Sequence, residues 1–134
     1  MKLSSKSLAA IKMFVDLGEH YQEDFICLVD IANRKDVSKK FLEQIVIPYK
    51  KACLLIGSRG NQGGYKLARA PHLITLKDII EVSENSLFEK QNEGNLIKEI
   101  LKGMDQKIDD YFSSITLSSL VDKQIASYGN SYSI

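Results

Sequence analysis

Residues 53–69 read CLLIGSRGNQGGYKLAR, two strand-like runs, CLLIGS and YKLAR, on either side of a glycine-rich loop. Short apolar runs joined through such a loop form a β-hairpin. Glycines at its tip can take positive φ and bring the backbone close to an anion with no Cβ in the way. The rest of the chain follows helical rather than strand periods, so the expected fold class is mainly α with a small β-hairpin.

The helices can be placed in order. From Ser4 or Ser5, either a possible N-cap, Leu8, Ile11, Phe14, Val15 and Leu17 recur at three- and four-residue steps, which predicts an amphipathic helix over 5–20. Leu28, Ile31 and Ala32 indicate a short second helix ending near NRKD. A third starts at Ser38, a second N-cap candidate, with Phe41, Leu42, Ile45 and Val46 on one face. Pro48 is awkward inside it and marks a kinked last turn through Ala52. TLKD at 75–78 reads as a capping box that opens a fourth helix, with Leu76, Ile79 and Ile80 inward. Three short helices followed by a hairpin give the order of a winged helix-turn-helix, in which the third helix enters the major groove of duplex DNA.

Charge points the same way. The net charge is only +1, but residues 1–69 hold twelve Lys/Arg against seven Asp/Glu, and residues 70–134 hold six against ten. Between 34 and 69 the balance is nine cations to two acids. A local excess of that size suits a polyanion. Its alternative is a solvated surface face, and for the glycine loop the alternative is an ordinary tight turn. A phosphate-binding loop would need Lys followed by Ser or Thr and then a helix, whereas YKLAR follows here. The GNQG at 60–63 matches the GXXG of RNA-binding KH domains, but that loop joins helices and these flanks are strand-like.

Catalysis and metal chemistry find little support. His20 and His72 stand apart from other ligand residues, and no nucleophile has a spaced base and orienting acid. Cys27 and Cys53 each lie in a short apolar run and are expected to be reduced core thiols. The chain lacks eighteen consecutive apolar residues, and its N-terminus lacks the features of a secretory signal, so a cytoplasmic protein without a membrane span is expected.

The second half carries a different pattern. Ile97, Leu101, Met104, Ile108, Tyr111 and Ile115 are separated by alternating steps of four and three, an a/d seam of nearly three heptads. A long helix on so small a domain is expected to bury that seam against a second copy. This divides the chain into a DNA-binding domain at 1–84, a polar loop at 85–93, a dimerisation helix and following turn at 94–120, and a C-terminal tail at 121–134.

Five segments, LSSKSLAAIKMFVDL, DIANRKDVSKKFLEQIVIPYKKACLL, SRGNQGGYKLAR, ITLKDIIEV and SSITLSSLVD, resemble in order and spacing the Rrf-two family of bacterial winged-helix regulators. The resemblance covers nearly the whole chain. It implies a homodimer, joined through the long helix, that acts as a transcriptional regulator, expected to be a repressor, on a palindromic operator. It implies DNA contacts from Ser38, Lys39, Lys40, Phe41 and Gln44 on the recognition helix. In the wing it implies Arg59 with Gly60, Gly63 and Gly64, and at the N-terminus phosphate contacts from Ser4, Ser5 and Lys6. The chemistry of lysines at a helix start, of Gln44 one turn on and of Arg59 at a narrow minor groove agrees. Phe41 fits the core spacing equally well.

Cluster-bearing members of that family place three cysteines after the fourth helix, and residues 85–103 contain none. The chain thus resembles the cluster-free type, such as the cysteine-metabolism repressor, and no iron-sulfur cofactor is expected. Its effector would be a partner protein or a small molecule. An RNA-binding or adaptor protein on the same basic winged fold is the alternative.

Overall fold

The computed structural model describes residues 2–58, 63–84 and 94–132. In chain order the elements are α1 (Ser5–Glu19), α2 (Leu28–Lys35), α3 (Lys39–Lys51), β1 (Leu55–Gly57), β2 (Tyr65–Leu67), a single 3-10 turn (Pro71–Leu73), α4 (Leu76–Ser83), α5 (Asn95–Ser114) and α6 (Leu117–Tyr132). This is a winged helix-turn-helix followed by two further helices.

Local chemistry sets the element ends. Ser4 caps α1, its hydroxyl accepting from the Ser7 amide at 3.1 Å. Ser38 caps α3 in the same way, accepting from the Phe41 amide at 3.2 Å. Thr75 and Asp78 form the reciprocal capping box on α4, at 3.1 and 2.9 Å. Helix α3 runs through Pro48 to Lys51, with Ala52 as its C-cap. Beyond Ala52 the Cys53 amide donates to Lys50 O and the Leu54 amide to Tyr49 O, each at 3.0 Å. That pair of bonds is a Schellman ending, and it places Cys53 at φ 60.

The reading of both cysteines as core thiols is corrected by their exposure. Cys53 is exposed and Cys27 half-buried, so neither is a fully enclosed core thiol. The turn delivers Leu54 and Leu55 into the core and leaves Cys53 outside.

The core gathers Met13, Phe14 and Leu17 of α1, Ile31, Leu42, Ile45, Val46 and Tyr49 of the helix-turn-helix, Leu55 and Leu67 of the hairpin, and Ile79 of α4. Phe14 meets Tyr49 edge to face at 5.0 Å, and the buried Tyr49 hydroxyl donates to Ile79 O at 2.6 Å. Strands β1 and β2 are antiparallel, pairing Leu55 with Leu67, Ile56 with Lys66 and Gly57 with Tyr65. A bridge between Ile26 and Tyr65 ties the hairpin to the segment before α2.

Two expectations for the second half change. The segment expected as a tail from 121 is helical through Tyr132, and Leu117 and Val121 of α6 lie in the same core as α1. Helix α6 thus returns to pack on α1, within the first 84 residues. Thr116 starts α6, its hydroxyl accepting from the Ser119 amide at 3.1 Å. Ile115 is extended rather than helical, and its carbonyl accepts from the Leu76 amide at 2.8 Å. The last seam position thus lies beyond the helix.

The remaining seam divides between two faces. Leu101 and Ile108 are half-buried by the chain itself, on the side of α5 that carries buried Phe112 and the Lys77–Asp109 ion pair to α4, at 2.5 Å. Ile97, Met104 and Tyr111 are exposed, and Leu96 and Ile100 join them. The open apolar stripe is rotated from the one the spacing suggested, because α4 claims part of it.

Candidate nucleic-acid interface

Helix α3 projects Lys39, Lys40, Glu43, Gln44 and Ile47 into solvent while Leu42, Ile45, Val46 and Tyr49 face the core. Its first two turns thus present two ammonium groups and the Gln44 amide to solvent. Lys39 lies 3.7 Å from Glu43, both more than half exposed, a pair too solvated to immobilise either side chain. The start of α3 carries no acidic residue, so its unsatisfied amides and lysines favour an anion together.

Two grooves flank that turn. One, about 330 Å³, is lined by Ser5, Leu8 and Lys12 of α1 and by Asp36, Ser38 and Phe41. It brings Ser5 alongside Ser38 and Phe41, residues more than thirty positions apart in sequence. Phe41 is half-buried, packs against the core and also lines this groove. The other groove, about 370 Å³, is lined by Lys39 and Glu43 of α3, by Cys27 and Val29 at the start of α2, and by Gly63 and Gly64 at the base of the wing. Lys6 is exposed on the first turn of α1. The two grooves meet the start of α3 at the consecutive residues Ser38 and Lys39, and Asp36 and Glu43 are the acidic residues that line them.

Gly64 has a structural duty at this site. It is buried, and a Cβ there would run into the carbonyl of Ile26, whose amide and oxygen pair with Tyr65 at 2.9 Å each. Only a residue without a side chain permits that approach. Arg59 and Gly60 lie outside the described residues.

Ser4 is engaged by its own chain. Its amide donates to Glu84 Oε2 at 2.9 Å, and the buried Ser7 hydroxyl donates to the same oxygen at 2.9 Å. The backbone donor at Ser4, helped by Ser7 against some desolvation, holds the Glu84 carboxyl below its ordinary pKa. Sequence spacing gave no sign of this contact, because its partners are some eighty residues apart. Lys12, Lys50 and Lys66 were also missed. Lys12 lines the first groove, while the Lys50 and Lys66 ammonium groups stand over Tyr65 and Phe25 at 6.0 and 4.7 Å.

Comparison with known proteins gives a consistent picture. A family model described as Rrf2, iron-dependent transcriptional regulator, matches residues 3–123. The HTH-type transcriptional regulator IscR of Vibrio campbellii is 29% identical over 130 residues, covering 90% of this chain and 77% of that protein. Among solved structures, the IscR of T. potens is 33% identical with a TM-score of 0.80, covering 92% of this chain and 88% of the other. CymR, the global cysteine regulator of B. subtilis, is 28% identical with a TM-score of 0.81, covering 92% and 98%.

The iron in the family's description can be set against the donors present. This chain has two cysteines, one preceding α2 and one following α3, fewer than the four thiolates of an all-cysteine cluster. Among the described residues no three His, Cys, Asp or Glu side chains gather to hold a metal. The donor set does not fit a thiolate-held iron centre. Also among the described residues, no helix is long and apolar enough to cross a membrane.

Proposed function

This chain belongs to the Rrf2 family of transcriptional regulators, which are not enzymes, and on that premise we propose that it acts as a homodimeric repressor on a palindromic DNA operator. The observation that carries the reading is the pair of grooves at the start of α3, one shared by Ser5, Ser38 and Phe41 and the other by Lys39, Gly63 and Gly64. A recognition helix flanked by a basic helix start and a hairpin suits a major groove with phosphates on both sides. Ser38, Lys39, Lys40 and Gln44 would face base edges and adjoining phosphates. Ser5 and Lys6 would hold the backbone, and Arg59 would enter the neighbouring minor groove.

Dimerisation follows from α5. Its stripe of Ile97, Ile100, Met104 and Tyr111 is exposed, and Gly103 in the same stripe has nothing within 4 Å of where a Cβ would stand. Water is a poor partner for such a face, and a second α5 is a good one. The regulatory signal is proposed to arrive through a partner protein or small molecule rather than through an iron-sulfur cluster.

The test begins with duplexes selected from a random-sequence pool, whose affinities are then read by fluorescence anisotropy across salt. Lys39→Ala with Lys40→Ala should weaken binding to every duplex and flatten the salt dependence by about one unit of slope for each phosphate no longer neutralised. Arg59→Ala should cost roughly 1–3 kcal/mol on the selected duplex and less on random duplex. If selection enriches no sequence, or single-stranded RNA competes better than duplex, the operator reading is wrong and the RNA-binding alternative takes its place.

A further inference from the structure

Where α1, α2 and α6 meet, three polar side chains form a closed set. Lys35 Nζ, in the last turn of α2, donates to Glu19 Oε1 at 2.6 Å, and both side chains are close to nine-tenths buried. The Tyr128 hydroxyl of α6 donates to the other Glu19 oxygen at 2.9 Å and lies 3.4 Å from Lys35 Nζ. Burial alone would lower the Lys35 pKa, but Glu19 and Tyr128 raise it above its ordinary value, so the ammonium stays charged. One residue before Lys35, Arg34 is held to the buried Asp16 by two bonds of 2.8 Å. Helix α2 is thus fastened to α1 at two successive positions, and α6 is attached to the second.

The other end of α6 is fixed as firmly. Ile115 and Thr116 alone separate it from α5, and the Leu117 amide donates to Ile74 O at 2.7 Å while Thr75 and Thr116 form a bridge. Near the middle of the contact, Gly18 lets Val121 lie directly against the α1 backbone. A path therefore runs from α5 through its two-residue link and α6 to α2, the helix that packs on the recognition helix, alongside the direct packing of α5 on α4.

We propose that Tyr128 is a positioning residue that, through Glu19 and Lys35, sets the orientation of the helix-turn-helix relative to α5. This rests on the dimeric DNA-binding reading above. If two copies join through α5, the orientation of each helix-turn-helix relative to α5 fixes the distance between the recognition helices. A two-fold protein reads half-sites at a set separation, so that distance becomes a preference for one operator spacing. Tyr128 touches no groove that flanks α3, and its effect would fall on spacing rather than on base recognition.

The experiment uses the full chain and its selected duplex in three forms: the natural spacing, a version with one base pair inserted at the centre, and a single half-site. Wild type should prefer the natural spacing over the altered one. Tyr128→Phe keeps the ring and removes the hydroxyl. It should bind the single half-site as wild type does while its spacing preference falls by about fivefold or more. Glu19→Gln, which loses the charge that holds Lys35, should show the same pattern. An unchanged spacing preference in Tyr128→Phe overturns the proposal. So does an equal loss on all three duplexes, which would indicate general destabilisation. A wild-type protein that binds the duplex but is indifferent to spacing removes the paired-site premise and the proposal with it. A wild-type protein that selects no duplex instead overturns the function from which the proposal starts.

Discussion

Substituting Gly18 by alanine tests the crossing of α1 and α6. A helical glycine changed to alanine ordinarily gains up to about 1 kcal/mol, and less near a helix end. Gly18 is the penultimate residue of α1, so the gain here is the smaller one. Against it stands geometry: a Cβ at position 18 would lie 2.6 Å from Val121 Cγ2 and 3.6 Å from Leu117 Cγ. Valine in a helix has one strongly favoured rotamer and cannot swing aside, and Leu117 and Val121 are both buried. The two helices must separate or strain, an overpacking cost of roughly 1–3 kcal/mol. The net expectation is a loss of about 1–2 kcal/mol, or roughly 4 °C in melting temperature per kcal/mol. Val121→Ala alone should cost roughly 1–2 kcal/mol through its cavity. The double variant should be less destabilised than the sum by about 1 kcal/mol, since each change makes room for the other. Urea unfolding followed by circular dichroism, at one protein concentration to fix any contribution from association, measures all four corners. A Gly18→Ala protein more stable than wild type, or strict additivity in the cycle, would show that α6 does not pack on α1 at this point.

Tyr49→Phe should cost about 1–2 kcal/mol in the same assay, because the 2.6 Å bond to Ile79 O disappears from the core. In wild type, burial pushes the Tyr49 phenol up to about 12, so its tyrosinate absorbance should stay small at the pH where an ordinary tyrosine is half ionised and should grow only as the pH nears the raised value, while the fold persists. The Glu84 pKa is depressed when folded. The stability that carboxylate contributes is therefore present above its ordinary pKa and is lost as pH falls through the lower folded value. Glu84→Gln should accordingly be less stable than wild type at pH 7, with the difference closing in acid, as unfolding at several pH values would show. Ile100→Asp with Met104→Asp places charge on the open stripe of α5, and sedimentation should then find a folded monomer in place of a dimer. A dimer that survives both aspartates must associate through another face.

Short-range chemistry in the sequence was enough to determine the helix-turn-helix. Ser38 before a run with Leu42, Ile45 and Val46 sets the start and inner face of α3, and the pair Thr75 and Asp78 starts α4. Each of those signals acts within about one helical turn, so it survives without knowledge of the rest of the chain. The hairpin was legible for the same reason, as were the exposed Lys39, Lys40 and Gln44, which sit opposite the buried stripe.

Tertiary structure decided what a period cannot express. Spacing groups Ile97, Leu101, Met104, Ile108 and Tyr111 on one side of a helix, but only the approach of α4 determines which of them are covered and which remain open. The apolar run around Cys53 concealed a Schellman turn that reverses its direction between one residue and the next. Glu84 found Ser4, Tyr128 found Glu19, and Gly64 found Ile26 across separations of 80, 109 and 38 residues, at which a single sequence carries no correlation to read. In α6, Leu117 and Val121 are a brief apolar signal among serines, too short to distinguish a core helix from a tail. Their burial depends on the absence of a side chain at Gly18, about a hundred residues earlier, and that dependence exists only once the two helices cross.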